Sequence, residues 1–239
     1  LVYVPGPLDA RGRHALLHPP RAHPAALAFL QSGAVAIDIG ANLGEWTLPL
    51  ARTAGATGRV LAVEPAPRSA AALEATLAAN ALRHAEVIRC AVSDHDGNAE
   101  FAVPVVTSAR TDTGTARLGP VGAGYERLNV SLRSLDSLVA ERGLDRVDLI
   151  KIDVEGHERQ VLDGAETILR PHRPALVIET GHEAEGDRPA IHDRLHGLGY
   201  RMLGILLDHG MVEANWASYV RIGAPFRRGE AHNLLLVPE

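Results

Sequence analysis

This chain predicts an α/β fold, a doubly wound and mainly parallel seven-stranded sheet with helices on both faces. Three observations lead there. Strand-sized apolar runs alternate with helical patterns along the 239 residues. Several of those runs end in an acid or a glycine that opens into a helix, as buried parallel strands do. Alanine is heavily used while aromatic residues make up 4%, which favours helices packed closely on a sheet over an aromatic-rich sandwich.

Residues 1–33 read as a lead-in rich in Pro and His, with an apolar helical patch at Ala25 to Leu30. Ala34 to Gly40 is a continuous apolar run ending in Asp38 and Gly40, a first buried strand, and Leu43 to Ala54 supplies its helix. Arg59 to Glu64 is the second strand, Pro67 to Ala81 a helix with Pro at its start, and Ala85 to Val92 the third strand. Asp94 to Gly97 reads as a turn. Pro104 to Tyr125 is rich in Ser, Thr, Gly and Arg and longer than compact domains usually tolerate without a use, so it is a candidate lid or substrate loop. The alternation resumes with helix Ser134 to Arg142, strand Val147 to Asp153, and a helix running through Leu169 whose Val161, Leu162, Ala165, Ile168 and Leu169 share one face. Strand Ala175 to Glu179, helix Pro189 to Leu198, strand Tyr200 to Leu207 and strand Asn233 to Val237 complete the pattern. No repeat or charge block divides the chain, so a single domain is expected over 1–239, with its core at 34–180 and the remainder of the sheet in 181–239.

Composition narrows the function. Lys plus Arg number 24 against 29 for Asp plus Glu, a net charge of -5, so no basic field draws a nucleic acid. The single cysteine, Cys90, excludes an internal disulfide framework and a cysteine-rich zinc site, and points to a reducing, cytoplasmic setting. No apolar run approaches the roughly 20 residues of a membrane-spanning helix. A phosphate loop, a G-x-S-x-G elbow and an H-E-x-x-H pair are all absent, which removes kinase, serine-hydrolase and zinc-peptidase readings. Oligomeric state is not readable.

In a doubly wound sheet ligands bind outside the carboxyl ends of the strands, so the residues ending each strand carry the functional signal. The first turn, Asp38-Ile-Gly-Ala-Asn-Leu-Gly44, lacks the G-x-G-x-x-G spacing of dinucleotide sites, since Asn42 and Glu45 stand where its second and third glycines would be. Asp38 and Glu45 would repel a pyrophosphate and suit a ligand carrying positive charge. S-adenosylmethionine fits: acids can draw its ammonium and sulfonium, and Glu64, ending the second strand, can accept both ribose hydroxyls. Taken singly, Asp38 could merely cap a helix and Glu64 be a solvated strand end. Both acids end apolar strands at the expected ligand edge, which favours binding.

Leu149-Ile-Lys-Ile-Asp-Val-Glu-Gly-His-Glu158, followed by Val161-Leu-Asp-Gly-Ala165, resembles the FkbM-type methyltransferases, and the first turn resembles motif I of class I methyltransferases. Ser134 to Leu138 and Pro174 to Glu179 match that family's order, so the resemblance covers roughly residues 34–180. It implies a Rossmann-like enzyme that methylates a hydroxyl of a sugar, glycolipid or polyketide-type product and releases S-adenosylhomocysteine. Carried over by motif, Asp38, Gly40, Ala41, Asn42 and Gly44 would hold the methionine part of the cofactor and Glu64 its ribose. Cys90, Ala91 and Val92 would line the adenine, although Cys90 reads equally as a small buried apolar residue.

Methyl transfer is an in-line displacement that needs a positioned acceptor and a base. Lys151, Asp153 and Glu155 alternate, so in a strand all three would face one side. Glu179 and His182 follow the next strand toward the same crevice, and His182 has the best-matched proton affinity for a base at neutral pH. Lys151 reads equally as a catalytic amine or as the buried partner of Asp153 or Glu155. His157 is expected at the surface and Glu158 as a favourable acid in a first helical turn. Asp153 and Glu179 offer hard oxygen ligands for Mg²⁺, ranked below a metal-free mechanism. Arg110, Asp112, Arg117 and Arg188 are available in loops to bind a hydroxylated or acidic acceptor. Two rivals stay open: an NAD-linked oxidoreductase, disfavoured by the glycine spacing, and a non-catalytic S-adenosylmethionine-binding domain.

Overall fold

The computed structural model describes residues 2, 22–105, 116–119, 123–184, 186–207, 210–220 and 232–239. Most of the lead-in and most of the loop 104–125, including Arg110 and Asp112, lie outside them.

The main sheet forms where continuous apolar runs can be buried on both faces. Strands β1 (Val35–Ile39), β2 (Arg59–Val63), β8 (Leu149–Ile152) and β9 (Ala175–Thr180) are almost wholly buried. With β3 (Ala85–Ile88) they run parallel in the order β3-β2-β1-β8-β9. Beyond β9 the sheet turns antiparallel through β12 (His232–Pro238), β10 (Tyr200–Leu207) and β11 (Gly210–Val212). All seven expected strands contribute to this sheet, the third only through Ala85–Ile88, and β11, a short hairpin partner of β10, makes an eighth.

Side-chain alternation then divides the helices. Ile37, Ile39, Ile150 and Ile152 pack toward α4 (Leu135–Glu141), α5 (Glu158–Asp163), α6 (Glu166–His172) and α7 (Asp187–Gly197) through Leu138, Val161, Leu169 and Leu195. Ala36, Leu149 and Val177 pack on the other face against Leu50, Ala51 and Ala54 of α2 (Thr47–Ala54) and Ala26 of α1 (Pro24–Leu27), while Ala62 meets Leu73 and Leu77 of α3 (Pro67–Ala79). A short helix, α8 (Trp216–Val220), packs beside α7.

Three differences from the sequence pattern have physical causes. The expected third strand breaks after Ile88, and β4 (Ala91–Ser93) leaves to join a second sheet with β7 (Tyr125–Ser134), β5 (Gly97–Pro104) and β6 (Arg117–Leu118). The region around the candidate lid is therefore flanked by long paired strands, β5 and β7, in register from Gly97↔Leu132 to Pro104↔Tyr125. The expected helix through Leu169 is two helices broken at Gly164, where a Cβ would come 2.1 Å from the Ser93 carbonyl oxygen; Val161, Leu162, Ala165, Ile168 and Leu169 are all buried regardless. Helix α2 starts at Thr47 rather than Leu43.

Candidate functional site

The strand order turns between β1, which leads outward to β2 and β3, and β8, which leads the other way. A cleft of about 240 Å³ opens at their carboxyl ends. Six carboxylic residues line it: Asp38, Glu45, Glu64, Asp153, Glu155 and Glu179. No Lys or Arg does so among the described residues.

Asp38 and Lys151 sit opposite each other in the β1–β8 register. Asp38 is 2% exposed and accepts the Thr47 hydroxyl at 2.5 Å; burial pushes its carboxyl up to about 6 despite that bond and the nearby Lys151 ammonium. Gly40 is required by contact, because a Cβ there would lie 1.8 Å from the Asp153 carbonyl oxygen, and its φ of +79° is open to glycine at no steric cost. Asn42 donates its N–H to Glu64 at 2.8 Å, and Ala66 donates to the other Glu64 oxygen at 2.8 Å. Glu64 therefore ties the first turn to the second strand end and keeps further lone pairs for a ligand. Burial lifts it to about 7 against those two bonds, and lifts Glu45 to about 7 with help from the Asp153 and Asp38 charges. Ala41 lines the cleft, while Gly44 is set back against Leu73 and Leu48.

Lys151 is fully buried and does not line the cleft. Its Nζ pairs with Asp153 at 3.2 Å, donates to the Ile152 carbonyl at 3.2 Å and sits 5.7 Å from the centre of the Trp46 ring. Glu179 is pushed up to about 9, first by burial and then by the Asp153 charge, to which it is hydrogen-bonded, and Asp153 is held below its ordinary value by Lys151 and by that bond. The two carboxyls titrate as a pair, in which the Asp153 charge favours the protonated form of Glu179.

The expected alternation of Lys151, Asp153 and Glu155 fails at its third member. The strand ends at Ile152, and Glu155 takes φ +55°, turning away from the Lys151–Asp153 pair to meet His182 Nδ1 at 3.0 Å. Glu155, Glu179 and His182 hold ligand-type atoms within 4.8 Å of one another. The donor types would suit a divalent cation, and His182, which does not itself line the cleft, is held there by its 3.0 Å ion-pair contact with Glu155.

Cys90, Ala91 and Val92 all line the cleft, and burial raises the Cys90 thiol to about 11, leaving it an inert apolar surface. Facing them are Phe101, Ala116 and Leu118 of the small sheet and its approach, which the sequence reading missed, as it did the contributions of Trp46, Pro65 and Val154. Phe101 begins an apolar stretch before Pro104 and could have been noticed. His157 is not a surface side chain: it lines the cleft, its Nε2 lies 3.0 Å from Ser93 Oγ, and burial lowers its proton affinity. Glu158 is buried, accepts the Gly156 N–H at 3.0 Å and is raised to about 7 by burial. Arg188 is not available to an acceptor, being buried and paired with Glu183.

A parallel sheet whose switch point is edged by carboxylates, with no basic phosphate cradle among the described residues, is the architecture of a class I S-adenosylmethionine-dependent methyltransferase. The chain matches the family model described as the methyltransferase FkbM domain over residues 38–202, and it belongs to that family. It is 31% identical over 202 residues to the 31-O-demethyl-FK506 methyltransferase FkbM of Streptomyces tacrolimicus, covering 73% of this chain and 75% of the relative. It is 30% identical over 203 residues to the methyltransferase sdnD of Sordaria araneosa, covering 73% and 76%. The crystal structure of an FkbM methyltransferase from Methylobacillus flagellatus shares the fold, with a TM-score of 0.55 at 17% identity over 86% of this chain, which spans 44% of that one.

Proposed function

We propose that this protein transfers the methyl group of S-adenosylmethionine to a hydroxyl of a small, polar, uncharged acceptor. The observation that carries the reading is the set of six carboxylic residues lining the cleft, with no lining Lys or Arg among the described residues. A net-cationic cofactor is drawn to such a set, and a pyrophosphate is repelled. The residues fit the group: Asp38 and the Gly40–Asn42 turn for the methionine end, Glu64 for the ribose, and Cys90 to Val92 for the adenine.

S-adenosylmethionine, when bound, supplies an electrophilic methyl on a sulfonium. The rest falls to the chain. We read His182 as the base: its Nδ1 lies 3.0 Å from the Glu155 carboxylate, and a proton on Nδ1 facing that acceptor would leave Nε2 to take the acceptor's hydroxyl proton. Asp153, kept ionised by Lys151, and Glu179, carrying a proton it can donate, are placed to orient the hydroxylated partner. The acidic rim and the burial of Arg188 narrow the acceptor class, since a carboxylated or phosphorylated molecule would meet like charge. A neutral sugar or polyol would not. That the Streptomyces tacrolimicus relative is named for a 31-O-demethyl substrate supports oxygen as the target atom. We place the reaction in the cytoplasm on the strength of the single buried cysteine.

Calorimetric titration with S-adenosylmethionine, S-adenosylhomocysteine and NAD in parallel tests the reading. Both adenosyl ligands should bind and NAD should not; binding of NAD alone would overturn it. Transfer of a labelled methyl to neutral polyols but not to their carboxylated analogues would test the acceptor class.

A further inference from the structure

We infer that Glu183, Arg188 and Tyr219 form a positioning unit that holds His182 in place for the proposed reaction, making α7 and α8 part of the site although neither lines the cleft.

The Glu183 side chain is 3% exposed and its carboxylate is held from three directions. Gly181 donates its N–H to Oε2 at 2.7 Å, the Tyr219 hydroxyl donates to Oε1 at 3.2 Å, and Arg188 reaches Oε1 with Nε at 3.4 Å and Oε2 with Nη2 at 3.5 Å. Arg188 also lies over the Tyr219 ring, 5.3 Å from its centre. The Gly181 and Glu183 contacts bracket His182. On its far side the backbone of His182 rests on Gly156, where a Cβ would come 2.6 Å from the His182 carbonyl oxygen. The histidine is therefore gripped between the turn after β8 and the Glu183 anchor, at the separation that lets Nδ1 reach Glu155.

A buried ion pair is a weak source of stability, because desolvating a carboxylate and a guanidinium offsets most of their attraction. What it provides is direction. Apolar side chains of equal volume would hold the loop against the core but would not fix the rotation of the Gly181–Glu183 backbone, on which the imidazole's aim depends.

The inference rests on reading His182 as the base, and the test separates the two without needing the acceptor. The full chain is labelled with ¹⁵N-histidine, the His182 signals are assigned by their loss in His182→Gln, and the tautomer is read from the nitrogen shifts and couplings. Wild type should show a single Nδ1–H tautomer. Tyr219→Phe, which keeps the ring and its stacking, and Glu183→Gln, which keeps the shape, should each lose the single-tautomer pattern and give mixed tautomers, with S-adenosylmethionine affinity within about twofold of wild type. A wild-type His182 with no fixed tautomer would overturn the base assignment. A fixed tautomer in wild type that persists in both folded variants would overturn the positioning unit and leave the base assignment standing.

Discussion

Lys151 has no exposed surface, and a buried ammonium persists only where it is paired. Its partner Asp153 keeps about a third of its side chain in contact with solvent, so removing the lysine leaves a carboxylate that water can partly reach. Lys151→Met should therefore cost about 1–3 kcal/mol rather than the larger penalty of a fully buried orphan charge, read as a shift in the denaturant midpoint. Asp38→Asn keeps the shape of the Thr47 contact and removes the charge; it should weaken S-adenosylmethionine binding at least tenfold, about 1.4 kcal/mol by calorimetry. Wild-type affinity would remove Asp38 from the cofactor site. His182→Ala should lower turnover on an accepted substrate by about 10²–10⁴ while leaving cofactor affinity nearly unchanged. EDTA should have little effect on that turnover, and a loss restored by Mg²⁺ would instead assign Glu155, Glu179 and His182 to a metal.

At the scale of elements, Gly40 lets the turn after β1 touch the backbone after β8. Gly40→Ala should cost about 1–3 kcal/mol through overpacking and a strained positive φ. It should also weaken cofactor binding, because Asn42 and Glu64 depend on the same turn; unchanged melting and affinity would show that the turn relaxes freely. This strand edge was legible in the sequence for a plain reason: β1, β2, β8 and β9 are buried on both faces, so each reads as an apolar run, and an acid at its end stands out. β7 was not legible. It alternates buried Val130 and Leu132 with exposed neighbours in a polar stretch, and its partner β5 begins at a glycine that reads as a turn. The meeting of Glu155 with His182 was also hidden, because extrapolating strand alternation past Ile152 sends Glu155 to the wrong side, and no local signal announces its positive φ. Arg188 looked like a free loop cation because its partner Glu183 and its aromatic cover Tyr219 come together only in the folded chain.

For the whole molecule, the raised carboxyls act together. Asp38 at about 6, Glu45, Glu64 and Glu158 at about 7 and Glu179 at about 9 all hold protons more tightly than in the unfolded chain. Their contribution to stability is full below their ordinary values near 4 and is lost as pH rises through the folded values. Asp153, shifted downward, acts in the opposite sense at the acid end. The ligand-free protein should therefore melt at a higher temperature near pH 5 than near pH 8, and an increase instead would show that these groups do not dominate. A cationic cofactor favours the ionised forms, so binding near pH 7 should release protons, visible as a dependence of the calorimetric heat on the buffer's ionisation enthalpy.

The small sheet leaves the main one at β4 and returns beside it, since Ala91 to Ser93 pair in parallel with Leu132 to Ser134. The two ends of this excursion are neighbours, so its length can change while the registers of β1, β2, β8 and β9 stay as they are, at an entropic cost that grows only slowly with added residues. One wall of the cleft, carrying Phe101, Ala116 and Leu118, is thus separable from the strand edge that carries the acids. The same strand edge can face differently shaped chambers, and grafting the β5–β7 excursion between relatives should move acceptor preference while the main sheet stays as it is.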